Sequence, residues 1–261
     1  ELLTEEYGCG LEGVFQSGGG TLTGVLNGVD YTEWNTTDNP HLAAAYSADS
    51  PDGKSLNKLA LQREFGLPEL DGVPLLGNIS RFAAQKGIDI LLGALEALLG
   101  SGAAFQFAGL GSGDPLLEKA MSGLARRHPE QVAVKVGYDT GLAHRIEAGS
   151  DFFVMPSRFE PCGLNQLYSL RYGSVPVVRA TGGLDDSVID LGQGEDTATG
   201  IKFGDCSAEA LGQALGRALA LYARPKRLAK VRDNGMRADF SWGQTTAEYE
   251  RLYAKIKKPA A

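Results

Sequence analysis

The sequence predicts an α/β protein in which helices cover a parallel β-sheet. Short apolar runs of four to six residues recur along the chain, which is typical of strands buried on both faces. Between them lie longer segments whose apolar residues repeat with helical periodicity. Repeated βα units of this length indicate parallel strands joined by helical crossovers.

The predicted strands are short and regularly spaced, and Pro74 is acceptable in one of them because it would be the first strand residue. Gly77 weakens that same strand slightly. An Asn-Gly turn at 27–28 is expected to end the first strand. The strands are predicted at 24–30, 74–79, 104–108, 132–136, 151–155, 175–178 and 201–203.

The helices between them carry recognisable start signals. Asp114, Ser207 and Ser241 are residue types that accept hydrogen bonds from the first free N–H groups of a helix. The apolar side of the first helix is expected to consist of Leu56, Leu59, Leu61 and Phe65. The helices are predicted at 54–65, 87–99, 114–128, 141–148, 163–173, after 181–183, at 208–222, 225–236 and 241–256.

Composition excludes several classes of protein. The 261 residues contain 43% hydrophobic residues, which is ordinary for a globular protein. The net charge of −7 argues against general nucleic-acid binding, which needs a basic surface. Three cysteines are too few for a disulfide framework and have no metal-binding spacing. No secretory signal or membrane-length apolar run is present.

The first residues are difficult to assign. The segments 7–11 and 18–20 are rich in glycine and are expected to form loops or turns. Residues 31–53 form a polar connection that contains Trp34. The chain starts at Glu1 in the middle of a pattern, without an initiator methionine, so we expect a fragment.

The segment 156–168, which reads PSRFEPCGLNQLY, is the most informative stretch. It follows a predicted buried strand and leads into a predicted helix, so it lies where open α/β sheets bind ligands. Its single acid is Glu160, and Pro161 stiffens the loop. Gly163 would let a ligand approach the helix N-terminus, whose N–H groups attract anions. This combination indicates a phosphorylated ligand beside a carboxylate.

The motif FEPCGL at 159–164 closely resembles the donor-site signature of bacterial glycogen synthases and plant starch synthases. Other segments resemble the same family in the same order and cover nearly the whole chain. They are LNGVD at 26–30, SRF at 80–82 with QKG at 85–87, GY at 137–138, YGSVP at 172–176, TGGL at 181–184 and DFSW at 239–242.

The resemblance implies the C-terminal half of a glycosyltransferase-B type fold, which has two Rossmann-like halves. Residues 1–25 would end the N-terminal acceptor domain, and 26–240 would form the nucleotide-sugar-binding domain. Residues 241–261 would be a helix that crosses back to the N-terminal half. The family's Lys-x-Gly-Gly-Leu signature, and the His and Asp of that half, have no counterpart in the sequence.

Arg81 and Lys86 follow a strand and precede a helix, where two fixed cations would match a diphosphate. Two isolated cations are usually ordinary surface residues. The resemblance places both at diphosphate-contacting positions, and there they would stabilise the charge that develops on the leaving group.

Glu160 alone would usually be a surface carboxylate. The resemblance implies that it contacts the donor sugar, orients it and stabilises positive charge at the anomeric carbon. Many relatives outside this family have a second Glu eight positions later, where this chain has Tyr168. Asn165 stands where several bacterial members have Thr.

The remaining candidate donor-binding residues are Gly163, Leu164 and Asn165, whose N–H groups could bind a phosphate or simply water. Tyr138 could stack on a nucleotide base or pack at the rim of the core, and the resemblance favours the base. Thr181, Gly182 and Gly183 could approach the ligand, although a tight turn alone also requires glycine. The glycines at 109–113 lack the order of a dinucleotide fingerprint, so NAD binding is rejected.

The sequence therefore predicts part of an enzyme that transfers glucose from ADP-glucose to the non-reducing end of an α-1,4-glucan with retention. The partners would be ADP-glucose or ADP, the glucan and the missing N-terminal half, without nucleic acid or membrane. No metal or other cofactor is expected, and the location would be the cytoplasm or the plastid stroma. The fragment alone would be poorly active or inactive. The alternatives are a non-catalytic nucleotide- or glucan-binding module and a retaining glycosyltransferase with another nucleotide sugar.

Overall fold

A computed structural model describes residues 2–8, 10–17, 22–194 and 196–257. The chain divides into two compact units. The larger comprises Val29–Phe240, and the smaller combines Glu1–Gly28 with Ser241–Ala261.

The larger unit contains a six-stranded sheet in which all strands are parallel, in the order β3-β2-β1-β4-β5-β6. Strand β1 is central, and its Leu76 is paired with Phe107 on one side and Phe152 on the other. Strand order reverses between β1 and β4, which is where open α/β sheets bind ligands. The strands are β1 Leu75–Ile79, β2 Gln106–Gly111, β3 Val132–Val136, β4 Phe152–Met155, β5 Val175–Arg179 and β6 Ile201–Phe203.

Successive residues of the buried strands belong to two different hydrophobic cores. In β4, Phe152 and Val154 pack in one core, and Phe153 and Met155 pack in the other. All four side chains are at least nine-tenths buried. This alternation is the pleat of a strand whose two faces are both covered. The predicted parallel sheet covered by helices is confirmed.

The helices of the larger unit lie on both faces of this sheet. Residues of α4, α5, α9 and α10 contribute to one core, and residues of α3, α6 and α8 to the other. Their bounds are α3 Gly53–Phe65, α4 Ile88–Gly100, α5 Pro115–Arg127, α6 Thr140–Gly149, α7 Asn165–Arg171, α8 Gly182–Ser187, α9 Ala208–Tyr222 and α10 Pro225–Arg237. Single turns of 3₁₀-helix occur at Ala84–Lys86 and Leu191–Gln193.

Two of the three predicted helix caps are confirmed. The carboxylate of Asp114 accepts hydrogen bonds from the N–H groups of Leu116 and Leu117. The hydroxyl of Ser207 accepts one from Ala210. In the smaller unit, the last helix, which we number α11, spans Trp242–Lys257, so it begins directly after Ser241.

The predicted apolar side of α3 is wrong at Leu56, which is 55% exposed. Of the predicted set, only Leu61 is fully buried. The buried face is largely polar, because its side chains bind groups that are distant in sequence. It comprises Gly53, Lys54, Asn57, Lys58, Leu61 and Gln62.

The predictions for the first 30 residues also need correction. The loop expected at 7–11 is partly helical, since α1 spans Glu5–Gly8, and α2 follows at Glu12–Ser17. Cys9 and residues 18–20 lie outside the described residues. Residues 24–28 form no strand. A β-carbon on Gly28 would lie 2.5 Å from the Cα of Trp242, so this segment packs closely on α11 instead.

Among the described residues, no helix combines the length and the apolar character needed to cross a lipid bilayer.

Candidate active site

Two loops meet where the strand order reverses. The β1 loop, residues 80–87, follows β1, and the β4 loop, residues 156–164, follows β4. Because both strands are parallel neighbours, their carboxyl ends bring the two loops together. The candidate residues Arg81, Lys86 and Glu160 therefore lie on facing loops although 78 residues separate the first from the last in the chain.

Lys86 and Glu160 form an ion pair across these loops. The Lys86 ammonium contacts Oε2 of Glu160, and the two side chains are only 20% and 9% exposed. The hydroxyl of Ser157 donates a second hydrogen bond to the same oxygen, at 3.2 Å. Hydrogen bonds to a carboxylate of this kind hold its position, and burial makes the loss of one partner costly.

Arg81 lies on the same loop but remains exposed to solvent. Its Nη2 donates to the side-chain oxygen of Gln85 at 2.9 Å. The Gln85 amide in turn donates to the carbonyl oxygen of Phe159 at 3.2 Å. Arg81 is thus a solvent-facing cation whose orientation is linked to the β4 loop.

Arg158 fastens the two loops together. Its backbone N–H donates to the carbonyl of Gln85 at 2.8 Å. Its guanidinium donates to both carboxylate oxygens of Asp89, at 2.8 and 2.6 Å. The hydrogen bonds from Arg158 hold the pKa of Asp89 below its usual value, although partial burial opposes this. We call the Arg158–Asp89 pair with the Arg158–Gln85 bond the loop clamp.

Arg179, the last residue of β5, supports the β4 loop from behind. Its Nε donates to the carbonyl of Ser157 at 2.9 Å, and its Nη2 donates to the carbonyl of Arg158. A third bond, from Nη1, reaches the carbonyl of Gly204 at 3.4 Å. Neither Arg158 nor Arg179 was predicted from the sequence. The sequence does show that Arg179 ends an otherwise apolar strand, and this pattern could have identified it as a candidate.

The helix after the β4 loop begins two residues later than predicted. Helix α7 starts at Asn165, with Leu164 as its N-cap residue, because Gly163 has a left-handed φ of 72° that is not helical. The Asn165 amide donates to the carbonyl of Ile79 at 2.7 Å and so ties the start of α7 to the end of β1. Gly163 therefore lies before the helix rather than in its first turn.

The turn at Thr181, Gly182 and Gly183 packs directly against the β4 loop. The N–H of Gly183 donates to the carbonyl of Glu160 at 3.0 Å. A β-carbon on Gly183 would lie 2.1 Å from the carbonyl oxygen of Cys162, and Gly182 has a φ of 45°. The close approach to Cys162 requires glycine at position 183, and the left-handed φ favours glycine at position 182.

Tyr138 is not packed in the core. It follows β3 and is 85% exposed. Its only recorded hydrogen bond among the described residues is one donated by the Thr140 hydroxyl, at 3.3 Å. The alternative of a tyrosine at the core rim is therefore wrong. The ring is free to stack on a flat ligand.

The comparisons with known proteins fit this geometry. The sequence profile described as "Glycosyl transferases group 1" matches residues 63–235, which include both loops, β3 and the 181–183 turn. The chain belongs to the group 1 glycosyl transferases.

Similar proteins lie within the predicted family. This glycosyl transferase chain is 52% identical over 259 residues to a glycogen synthase of Thioalkalivibrio sulfidiphilus, which covers 98% of the chain and 53% of the relative. It is 49% identical over 261 residues to a glycogen synthase of Koribacter versatilis, covering 100% of the chain and 53% of that relative. The chain thus spans about half the length of the curated relatives that it matches.

Solved structures of glycosyltransferases also resemble this chain. The catalytic domain of starch synthase IV from Arabidopsis thaliana, bound to ADP and acarbose, matches with a TM-score of 0.90 and 35% identity. The match covers 98% of this chain and 53% of that one. A sucrose-phosphate synthase of Thermosynechococcus elongatus shares the fold, with a TM-score of 0.64 at 21% identity over 97% of this chain and 57% of that one. The resemblance to glycogen and starch synthases is confirmed.

A ring cluster beside the site in this glycosyl transferase was not predicted. Trp34 stacks on Tyr168 with ring centres 3.6 Å apart and on His144 at 4.1 Å. Burial raises the pKa of Tyr168 to about 12. The polar connection at 31–53 thus contributes a core residue, and Tyr168 fills the position of the absent second Glu with a packed ring.

His144 is buried and hydrogen-bonded. Its Nδ1 lies 2.8 Å from the hydroxyl of Tyr172 and 3.2 Å from the amide nitrogen of Asn39. Burial, with smaller contributions from the neighbouring His41 and Arg145, lowers its pKa to about 4. The imidazole is therefore neutral at pH 7.

Proposed function

We propose that this chain is the donor-binding half of a glycogen or starch synthase, which transfers glucose from ADP-glucose to an α-1,4-glucan with retention. One observation carries the proposal. A buried lysine–glutamate pair stands at the switch point of the sheet, beside an exposed arginine on the same loop. This arrangement supports a site in which cations bind a phosphate next to a carboxylate that contacts the sugar.

Arg81 and Lys86 are assigned to the diphosphate. As the bond between the anomeric carbon and the phosphate oxygen breaks, the electron pair leaves with ADP and its negative charge grows. Cations held at that position stabilise the transition state more than the bound donor. The linkage of Arg81 through Gln85 to Phe159 supports this role, because it fixes the direction of the guanidinium.

Glu160 is assigned to the sugar. Two donors, Lys86 and Ser157, hold one of its oxygens, so the carboxylate keeps one orientation. A carboxylate held beside the anomeric carbon would stabilise the positive charge that develops there. Donor binding would draw Lys86 towards the phosphate and leave Glu160 with more negative charge for this purpose.

The other candidate residues are assigned to the nucleotide. Tyr138 would stack on the base, and its exposed ring supports this. The N–H groups of Gly163, Leu164 and Asn165 would receive a phosphate at the entry to α7. Thr181, Gly182 and Gly183 would lie along the same phosphate, since their turn touches the β4 loop.

The proposal for the activity of the whole protein rests on its similarity to the relatives. Those named above are glycogen synthases, and the similar starch synthase structure holds ADP and acarbose. We propose ADP-glucose as donor, an α-1,4-glucan as acceptor, and an N-terminal half of the same protein as the partner needed for efficient turnover. No metal or other cofactor is assigned a role, and we propose a cytoplasmic location, or the stroma if the source has plastids.

Calorimetric titration with ADP and with UDP tests the donor site. Arg81→Ala removes one charge-assisted phosphate contact and should weaken ADP binding by roughly 1.5–3 kcal/mol, about one to two powers of ten. Arg126→Ala is the matched control, because Arg126 is exposed on α5 away from both loops. Lys86→Ala should weaken binding similarly if its circular dichroism spectrum remains native.

The outcomes separate the hypotheses. Binding of ADP that is lost in the Arg81 and Lys86 variants, but not in the control, supports the donor site. Tighter binding of UDP than of ADP would favour a glycosyltransferase with another donor. Equal binding by the Arg81, Lys86 and Arg126 variants would refute the site, and so would glucan elongation that survives Glu160→Gln after the N-terminal half is restored.

A further inference from the structure

A second pocket lies at the opposite edge of the sheet from the candidate active site. Asp151 directly precedes β4, and its carboxylate accepts a hydrogen bond from the N–H of Leu75, the first residue of β1, at 2.9 Å. This pocket is therefore at the amino ends of the strands. Its volume is about 390 Å³.

The walls of this pocket, which we call the basal pocket, come mainly from α3 and α10, with Tyr222 at the end of α9. The first turns of α3 supply Lys54, Ser55 and Lys58, and one stripe of α10 supplies Pro225, Leu228, Ala229 and Arg232. Except for Arg232, these residues belong to the first half of a 13-residue helix, and the N-terminal end of a helix carries partial positive charge.

The lining of the basal pocket carries three cations and three carboxylates, but its buried part holds more cations than acids. Lys54 and Lys58 are 7% and 3% exposed, and the Arg232 side chain is 23% exposed. The buried acid of the lining is Asp151, which is 5% exposed. The two other carboxylates of the lining, on Asp52 and Asp71, belong to exposed residues at the rim.

Asp151 is shared by two of the three cations. Lys58 contacts its Oδ2 at 2.8 Å, and Arg232 contacts its Oδ1 at 2.5 Å. Lys58 also donates to the carbonyl of Val73 and the hydroxyl of Tyr222. The N–H groups of Lys58 are thus all occupied. The single carboxylate of Asp151 balances the charges of both Lys58 and Arg232.

The other two cations have unused capacity. Lys54 donates to the carbonyl of Ala148 and the hydroxyl of Ser174, both neutral groups. The Nε of Arg232 has no hydrogen-bond partner among the described residues. Burial, and then the nearby Arg232, lower the pKa of Lys54 well below its usual value, and the buried carboxyl groups of Asp151 and Glu147 oppose this shift.

We propose that the basal pocket binds an oxyanion of the phosphate class, either inorganic phosphate or the phosphate group of a small metabolite. The anion would sit between Lys54 and Arg232 and balance the buried positive charge, which is otherwise costly. The pocket is large enough for a phosphate ester. This site is independent of the donor site, because it uses different residues at the other edge of the sheet.

Calorimetric titration of the folded chain with inorganic phosphate tests the proposal, with chloride at equal ionic strength as the salt control. Ala229→Glu places a carboxylate on the pocket wall at an exposed helix position, and it should weaken phosphate binding at least tenfold. Ala229→Gln has the same size without the charge and should bind nearly as the original chain does. Neither substitution at position 229 removes a group that contacts Asp151.

Arg232→Gln tests the arginine directly and should also weaken binding at least tenfold. Lys230→Gln is its control, because Lys230 is exposed on the same helix outside the pocket lining. Glycerol phosphate distinguishes the two sources. Tighter binding than inorganic phosphate indicates a metabolite ester, and weaker binding indicates the free ion.

The proposal is overturned if the folded chain binds no phosphate, or if Ala229→Glu and Ala229→Gln bind it equally. It is also overturned if Arg81→Ala abolishes binding while the pocket variants do not, since the phosphate would then occupy the donor site. Failure of ADP to bind would refute the proposed function and leave the basal pocket unaffected.

Discussion

The ammonium group of Lys86 contacts the carboxylate of Glu160, although 73 residues separate them in the chain. The contact pairs one positive charge with one negative charge. A diphosphate must therefore compete with Glu160 for Lys86, and the nearby carboxylate repels it.

Glu160→Gln should strengthen ADP binding although it removes a candidate catalytic group. The neutral amide no longer repels the diphosphate and leaves Lys86 available, so we expect about tenfold tighter binding, roughly 1.4 kcal/mol. Calorimetric titration measures this, with the exposed Glu130→Gln as control. Unchanged or weaker ADP affinity in the folded variant would show that the ion pair does not oppose the ligand.

Arg158→Ala should loosen the site without unfolding the protein. The Arg158 and Asp89 side chains are 35% and 49% exposed, so the ion pair contributes about 1 kcal/mol or less to stability. The variant removes the Arg158–Asp89 part of the loop clamp and keeps the backbone bond to Gln85, so we expect faster amide exchange at residues 80–87 and weaker ADP binding. Exchange rates as slow as in the original chain would refute the clamp.

Gly183→Ala should damage the site through the backbone. The new β-carbon would meet the carbonyl oxygen of Cys162 at 2.1 Å, so the β4 loop must shift and Glu160 with it. We expect loss of ADP affinity together with a lower thermal midpoint.

Gly212→Ala is the matched control for this substitution. Gly212 lies inside α9 with open space around its Cα, and alanine there should raise stability by about 0.5–1 kcal/mol. Loss of ADP affinity in this variant as well would show that the effect is not specific to the 181–183 turn.

The stability of the chain should fall on acidification through His144. Its pKa is about 4 in the folded protein, because burial disfavours the charged ring, against about 6.5 in the unfolded chain. The unfolded state therefore binds more protons between these values, and stability decreases as the pH falls from about 6.5 to 4. His144→Gln should flatten this part of the pH profile in urea unfolding, and an unchanged slope would contradict the assignment.

The sequence was sufficient for the sheet and for the loops that follow its strands. Strands such as β4 are uniformly apolar, and the motifs at 80–87 and 159–164 directly follow two of them. The parallel arrangement then dictates that Arg81, Lys86 and Glu160 approach one another. Helix caps such as Asp114 were also predictable, because capping depends on neighbouring residues alone.

Other features depend on partners that are distant in sequence. Lys58 is buried on α3 because Asp151 and Tyr222 bind it, and the local pattern of apolar residues instead suggested that Leu56 faces the core. Trp34 lies in a polar segment, yet its ring stacks on Tyr168 far along the chain. The start of α7 depended on the left-handed φ of Gly163, which the sequence permits without requiring.

The support that Arg179 gives to the β4 loop has an evolutionary consequence. All three of its bonds end on backbone carbonyls, at Ser157, Arg158 and Gly204. These three bonds would therefore survive substitution of the side chains at those positions, although Ser157 and Arg158 also make side-chain contacts of their own. Position 179 itself cannot drift in the same way, because a lysine lacks the planar fork that serves several carbonyls at once. Selection on the β4 loop should therefore act on Arg179, which supports the loop, as well as on the loop residues themselves.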